Sequence, residues 1–335
     1  MRVGLVLGGG GVVGMAYHAA VLAAIEHDLA WDPRSAAVVV GTSAGSLVGA
    51  LLRRGVPASD LAAVSVGAGP RSSPPGIADA LRDRPELPAL RFGSFLARPR
   101  LPSPRLIAGW ARRPWRLDPV AALASVLPDG SLDLAKHATA IATVLGGAWP
   151  QDDLWICAVR QHDLRRVVIG RDEWAPLPAA VCASCAIPGY FRPVRIGNRC
   201  YIDGGVRSLT NADVLRRRDL DLAIIVSPMS GRDLGLFGVG NLMRQRTHRQ
   251  VEHERERLHR AGIPSVLIEP GPDVVHEFGI DVMSDANLRD IVRAAFLDTG
   301  DQLRAPITRT LLYGLNNRTP RRGRVAGRQV AVSSA

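Results

Sequence analysis

Residues 3–25 read VGLVLGGGGVVGMAYHAAVLAAI and residues 36–52 read AAVVVGTSAGSLVGALL, and neither stretch holds an Asp, Glu, Lys or Arg. Uncharged runs of this length suggest a signal peptide or a spanning helix. The glycines argue against both. Gly4, Gly8, Gly9, Gly10, Gly11 and Gly14 interrupt the first run, and each is about 1 kcal/mol worse than alanine inside a helix. Val3–Leu7 therefore reads as a short buried strand, Gly8–Gly14 as a loop and Met15–His27 as a buried helix. The second run breaks the same way at Gly41–Gly45, giving a strand over Ala36–Val40, a tight turn and a helix to about Arg54. Apolar strands alternating with helices imply a parallel sheet covered on both faces.

Outward from this opening, the 335 residues suit one α/β domain with additions. Hydrophobic residues at 47% and charged residues at 22% exclude a wholly disordered chain, and 4 cysteines exclude a disulfide scaffold. The same cysteine usage fits a cytoplasmic chain. Lys plus Arg is 42 against 31 for Asp plus Glu, a net charge of +11, and Lys136 is the only lysine. Such a charge favours anionic partners, either a peripheral contact at an anionic inner membrane surface or nucleic acid. No recognisable nucleic-acid fold accompanies it, which weighs against the second.

From about residue 69 to 119 prolines and arginines crowd in, with Phe92, Phe95, Trp110 and Trp115 among them. Proline blocks interior helix bonds, so this reads as an insertion of short helices over one end of the sheet. Further on, the pattern predicts a helix over Ser131–Leu145 and paired strands at Leu154–Arg160 and Arg165–Ile169. It predicts a helix at Leu177–Cys185 and a hairpin from Arg192 to Ile202. Strands at Leu222–Val226 and Ser265–Glu269 flank a charged helix over Asn241–Ala261, and one long helix covers Asn287–Leu312. Residues 317–335 are Arg-, Gly- and Ser-rich and read as a disordered basic tail.

Three elements carry chemistry. Gly41-Thr42-Ser43-Ala44-Gly45 fits G-x-S-x-G after a strand and before a helix, the setting in which a serine projects from a sharp turn as a nucleophile. The alternative is a structural turn with a chance serine. Gly8–Gly14 can aim successive N–H groups at an anion. It can also be a tight turn, or a dinucleotide loop, since Gly9, Gly11 and Gly14 fit G-x-G-x-x-G. The dinucleotide reading expects an acid after the second strand, where this chain has Val39-Val40-Gly41-Thr42-Ser43. A P-loop fails for want of Gly-Lys-Ser/Thr. The loop is better used as an oxyanion hole beside Ser43. A base is also required. Asp203 in Asp203-Gly204-Gly205 is the better candidate, with an Asx-type turn as the plain alternative. His248, His253 and His259 lie on the charged helix and read as solvated. His276, in a loop, is the remaining candidate for a Ser–His–Asp triad. Cys182-x-x-Cys185 has no partner pair and reads as buried small residues.

Together these elements resemble the patatin-like phospholipase family. Gly8–Gly14 looks like its glycine-rich loop, Gly41–Gly45 like its nucleophile elbow, and Asp203-Gly204-Gly205 like its D-G-G/A motif. Ala183-Ser184-Cys185-Ala186-Ile187-Pro188-Gly189-Tyr190-Phe191 is similar to its A-S-x-A-I-P-x-x-F segment. The resemblance implies a three-layer α/β/α fold with a mainly parallel central sheet and the Pro/Arg-rich stretch as a cap. It implies a catalytic domain over 4–216, with 217–316 an α/β extension on the same sheet. It implies a lipid ester substrate, Ser43 as nucleophile, Asp203 as proton acceptor, and the N–H groups of Gly10 and Gly11 as oxyanion hole, with no metal or cofactor needed. A carboxylate with a pKa near 4 is a poor base for a serine hydroxyl, so the oxyanion hole must carry much of the barrier reduction. The chain departs from the family pattern at Gly8, where Asp is frequent, and at Val13, where Arg or Lys is common. A triad esterase acting on small esters, and a silent lipid-binding member of the fold, are the alternatives.

Overall fold

The computed structural model describes residues 1–82, 101–112, 118–231 and 239–315. Phe92, Phe95, Trp115 and the basic tail lie outside these residues. Among the described residues eight strands form one sheet: β1 (Val3–Leu7), β2 (Val38–Thr42), β3 (Leu154–Arg160), β4 (Arg165–Ile169), β5 (Val194–Ile196), β6 (Arg199–Asp203), β7 (Leu222–Val226) and β8 (Ser265–Ile268). β1 is central, parallel to β2 on one side and to β7 on the other. β7 continues in parallel to β8, and β2 to β3. β4 and β6 both run antiparallel to β3, and β5 to β6. The sheet is thus mainly parallel, with helices on both faces, as the opening pattern predicts.

The apolar runs hide a period of two. Leu5 and Leu7 of β1 join a core with Leu22, Val48, Leu177 and Ile291, all from helices on one face. Val6 points the other way, into a core with Val214, Val251 and Leu258. Every residue of β1, β2 and β7 is buried, because both faces are covered. Helix α1 (Gly11–Leu29) is apolar around most of its girth for a similar reason. It lies beneath the Leu288–Arg304 helix and beside Ala58–Ser65.

Several boundaries differ from the sequence pattern. α1 starts at Gly11, not Met15, because Gly14 N–H bonds back to the Gly10 carbonyl at 2.9 Å and draws the loop's second half into the helix. β2 extends to Thr42, since Gly41 is paired to both Leu7 and Ile156. The helix expected from Ser131 begins at Ala135, because the backbone of Leu132 is taken by Tyr190 and Arg192. The long last helix is two, Leu288–Arg304 and Pro306–Leu312. Pro306 holds Ala305 extended (φ −57°, ψ 136°) and cannot donate to the preceding turn. His276 stands on the short Pro272–Phe278 helix, not in a loop. The short helices of the insertion, Pro75–Arg82, Pro104–Arg112 and Pro119–Val126, each begin at a proline. Among the described residues no helix is long and apolar enough to cross a membrane.

β3 positions the site. β4 pairs with it continuously from Ile156 to Arg160, occupying one edge. On the opposite edge, β2 is opposite Leu154–Cys157 and β6 opposite Ala158–Arg160. β2 and β6 therefore meet end to end along one edge of β3. Thr42 faces Cys157 and Asp203 faces the next residue, Ala158. The turn that leaves β2 begins with Ser43, so the two strand ends deliver Ser43 and Asp203 to one place.

The turn itself depends on contact. A Cβ on Gly45 would lie 2.0 Å from the Leu7 carbonyl oxygen and 2.8 Å from that of Gly8, both backbone atoms in the sheet core. Overpacking at a site that cannot relax costs about 3 kcal/mol. Gly45→Ala is accordingly expected to lower the unfolding free energy by about that much, read from the urea midpoint. An unchanged midpoint would show that β1 and α2 (Ala44–Arg53) do not press together as described.

Candidate active site

Ser43 has φ +51° and ψ −123°, a conformation that side-chain-bearing residues rarely adopt. Such strain costs of order 1–3 kcal/mol and persists only where its surroundings over-determine it. Here they do. Ser43 N–H donates to Ser184 Oγ at 2.8 Å, and Ser184 Oγ in turn donates to the Cys157 carbonyl at 2.6 Å. The Ser43 carbonyl accepts from Ser46 N–H at 2.8 Å and from Ser46 Oγ at 2.7 Å. Ser43 is only 6% exposed.

Asp203 ends β6, its N–H bonded to the Ala186 carbonyl at 2.9 Å. One carboxylate oxygen accepts from Gly205 N–H at 2.6 Å. A Cβ on Gly204 would strike the Cys157 carbonyl oxygen at 2.3 Å, so this turn too is pressed against β3. Burial pushes the Asp203 carboxyl up from 3.8 to about 6, while hydrogen bonding from Gly205 N–H and the Ser43 hydroxyl opposes the shift. The carboxylate is a better base than the sequence suggested, yet ionised at neutral pH.

The glycine loop passes the same place. Gly8 N–H is taken by the Val226 carbonyl, Gly9 N–H by Leu209 and Val13 N–H by Val282. Among the described residues no carbonyl takes the N–H of Gly10 or Gly11. Gly11 needs its φ of +64°, and a Cβ there would meet the Val282 oxygen at 2.5 Å. Gly10, Gly11, Ser43 and Asp203 all line one cavity of about 320 Å³. Its walls are mostly apolar, including Leu123, Leu127, Ile187, Val206 and Met243. Gly41 and Gly45 brace the elbow from below, and Gly9 and Gly14 shape the loop ends without lining the cavity.

Among the described residues no histidine lines this cavity. His276 is exposed on the outer side of its helix. His248 pairs with Glu269, and His253 binds the Arg249 carbonyl. Cys185 lies beside Ser43 and Asp203, whereas Cys182 turns to the Leu134 carbonyl; burial drives both thiols upward, Cys182 to about 11, which suppresses thiolate chemistry.

Three supporting residues carried no sequence signal of their role. Asn211 donates to Thr42 Oγ1 at 3.1 Å, steadying the residue before the elbow. His18 is fully buried with Nε2 at 2.7 Å from the Gly8 carbonyl, and burial lowers its pKa to about 4. It is therefore neutral and donates to the loop. Arg244 is buried, donates to the Pro228 carbonyl at 2.8 Å and lies over the Phe278 ring. Pro228 is the residue that a Cβ on Gly10 or Gly14 would meet. Arg244 stands on a helix whose charged pattern reads from sequence as solvated, and His18 lies in an apolar helix that names no partner for it, so only the fold reveals either contact.

A family model described as patatin-like phospholipase matches residues 5–216. Among solved structures, the crystal structure of VipD from Legionella pneumophila matches at 14% identity and a TM-score of 0.42, over 93% of this chain and 67% of that one. No curated protein matches.

The raised carboxyl has a measurable signature. Folded Asp203 keeps its proton up to about pH 6, whereas the unfolded chain releases it near 3.8. Its contribution to stability therefore falls as pH rises through that window, reaching a cost of about 3 kcal/mol above it. His18, lowered from 6.5 to about 4, acts with the opposite sign over much of the same range, so the wild type alone is uninformative. Asp203→Asn is expected to match wild-type stability near pH 4 and to exceed it by about 3 kcal/mol at pH 7.5, measured by urea unfolding at each pH. A variant less stable than wild type at pH 7.5 would contradict a desolvated carboxylate.

Proposed function

This chain belongs to the patatin-like phospholipase family, and we propose that it cleaves the carboxylic ester bonds of phospholipids with a Ser43–Asp203 dyad. The family makes it a hydrolase acting on lipid esters; the residues and their roles are the proposal. The observation that carries it is the junction along β3, where a strained, buried serine and a desolvated carboxylate open into one apolar cavity.

In the proposed reaction Asp203 takes the Ser43 proton as Oγ attacks the ester carbonyl. The developing oxyanion is held by the N–H groups of Gly10 and Gly11, donors that nothing else among the described residues uses. Losing one such donor costs about 10²–10³ in rate. The tetrahedral intermediate collapses, the alcohol leaves with the proton from Asp203, and an acyl-serine remains. Water then attacks that ester, gives its proton to Asp203, and the fatty acid departs as Ser43 regains its proton. The apolar wall accommodates the acyl chain. An Asp203 pKa of about 6 places its basicity roughly two units closer to the serine than an ordinary carboxylate, about 3 kcal/mol in proton affinity. The positive charge of +11 supports a peripheral contact with an anionic membrane.

A lipid-class hydrolysis panel tests the reading. Ser43→Ala should abolish turnover while leaving the circular dichroism spectrum unchanged, and Asp203→Asn should lower kcat by at least about 10³. His276→Ala should keep most activity. For wild type, kcat/KM should fall tenfold per pH unit below about 6, because Asp203 must be ionised to accept the proton. A histidine substitution as damaging as Ser43→Ala, with Asp203→Asn still active, would favour the triad. Absence of turnover on every ester by the wild type would leave a binding module.

A further inference from the structure

Three segments surround the mouth of the Ser43 cavity: the Pro119–Val126 helix, the start of the Val239–Arg260 helix, and the loop after the Pro272–Phe278 helix. They are tied to one another. Asp118, which caps the first helix, accepts from Arg246 of the second at 2.8 Å. Arg244 of the second lies 5.1 Å from the ring centroid of Phe278 at the end of the third. The loop is tied to the catalytic side, since the Val282 carbonyl accepts Val13 N–H and Val282 lines the cavity.

Each segment turns large apolar side chains outward. Leu123 is 58% exposed and Met243 49%, although both also line the cavity. Leu242 is 66% exposed and Ile280 is 103% exposed, and neither lines it. Single exposed apolar residues need no explanation, but a group gathered around the mouth of an apolar cavity does. Exposed Arg207 lines the same mouth, and exposed Arg249 stands one turn beyond Arg246. The acidic groups nearby are partly occupied: Asp118 with Arg246, and Asp281 with the N–H of Met283 at 2.9 Å. Glu277 and Asp285 remain on the loop side.

We infer that this rim, with Leu242 and Ile280 as its outermost anchors, is the surface by which the protein docks on a lipid bilayer that carries anionic lipid. The inference rests on the lipid-ester reading above and names its interface. A lipid chain leaving a bilayer for the cavity would cross water unless the rim touches the hydrocarbon boundary. Leu242 and Ile280 are the most exposed of the four, while Leu123 and Met243 line the cavity that also holds Ser43. The arginines and the net charge of +11 supply the attraction that brings the rim to an anionic surface.

The test compares wild type with the Leu242→Ser/Ile280→Ser double variant, using vesicles of equal parts phosphatidylglycerol and phosphatidylcholine. Vesicle partition by co-sedimentation should fall at least about tenfold, because two large apolar side chains no longer leave water. Hydrolysis of vesicle lipid should fall with it, while hydrolysis of a soluble short-chain p-nitrophenyl ester stays unchanged. Ile280→Trp, which keeps an apolar and interface-seeking side chain, should bind at least as tightly as wild type and guards against a folding defect in the double variant. Unchanged partition in the double variant would overturn the assignment. So would a change in its solution mass by light scattering with vesicle binding intact, which would mark the rim as a contact between copies. Wild type that binds vesicles through these residues but hydrolyses no ester would refute the dyad reading and leave the docking surface standing.

Discussion

The site exists because β3 offers one edge to two strands in turn. β2 uses it as far as Cys157 and β6 takes over from Ala158. Strand pairing is rigid and its register is fixed to the residue, so the pairing alone makes Thr42 and Asp203 neighbours. A one-residue slip of β6 would move Asp203 along the edge and turn its side chain to the other face. The proposed nucleophile and its proposed base are thus placed by backbone hydrogen bonds, the least deformable part of the molecule. The side chains refine what the sheet has already set.

That placement has two costs, and the surroundings meet both. The backbone at Ser43 is strained, and Ser184 and Ser46 hold it through three hydrogen bonds to its N–H and carbonyl. The carboxyl of Asp203 is desolvated, and its pKa rises to about 6. In the proposed dyad the second cost is what would make an aspartate serviceable as a base without a histidine, since a solvated carboxylate would hold the serine proton too weakly. The same dryness strengthens the pull of Gly10 and Gly11 on an oxyanion. Burial therefore acts on both halves of the proposed chemistry at once.

How much was legible beforehand followed from how local each requirement was. The glycine at 45 must be a glycine because the Leu7 carbonyl is 2.0 Å from where a Cβ would stand, so the elbow is written in a five-residue pattern. The parallel sheet was equally open, since β1, β2 and β7 are largely apolar runs followed by Gly8, Ser43 and Ser227. The Val239–Arg260 helix was harder. Its buried stripe runs through Arg244, Thr247, Val251, Glu254 and Leu258, and two charged members erase the hydrophobic signal. Glu254 is buried because it accepts from Thr210 and from Ala212 N–H, far away in sequence. The basicity of Asp203 could not be read at all, because desolvation is a sum over every element that closes around it. The break at Ala305 was missed by reading one helix over Asn287–Leu312, although the ring of Pro306 forbids a continuous helix there.

The central claim is that Ser43 is made nucleophilic by Asp203 alone. It is tested most directly by reacting the folded protein with a fluorophosphonate and locating the adduct by peptide mass spectrometry while following its rate. The account predicts a single phosphonylated residue, Ser43, labelled at a rate that falls below about pH 6 and drops by orders of magnitude in Asp203→Asn. Labelling elsewhere, or labelling of Ser43 at an undiminished rate in Asp203→Asn, would contradict it.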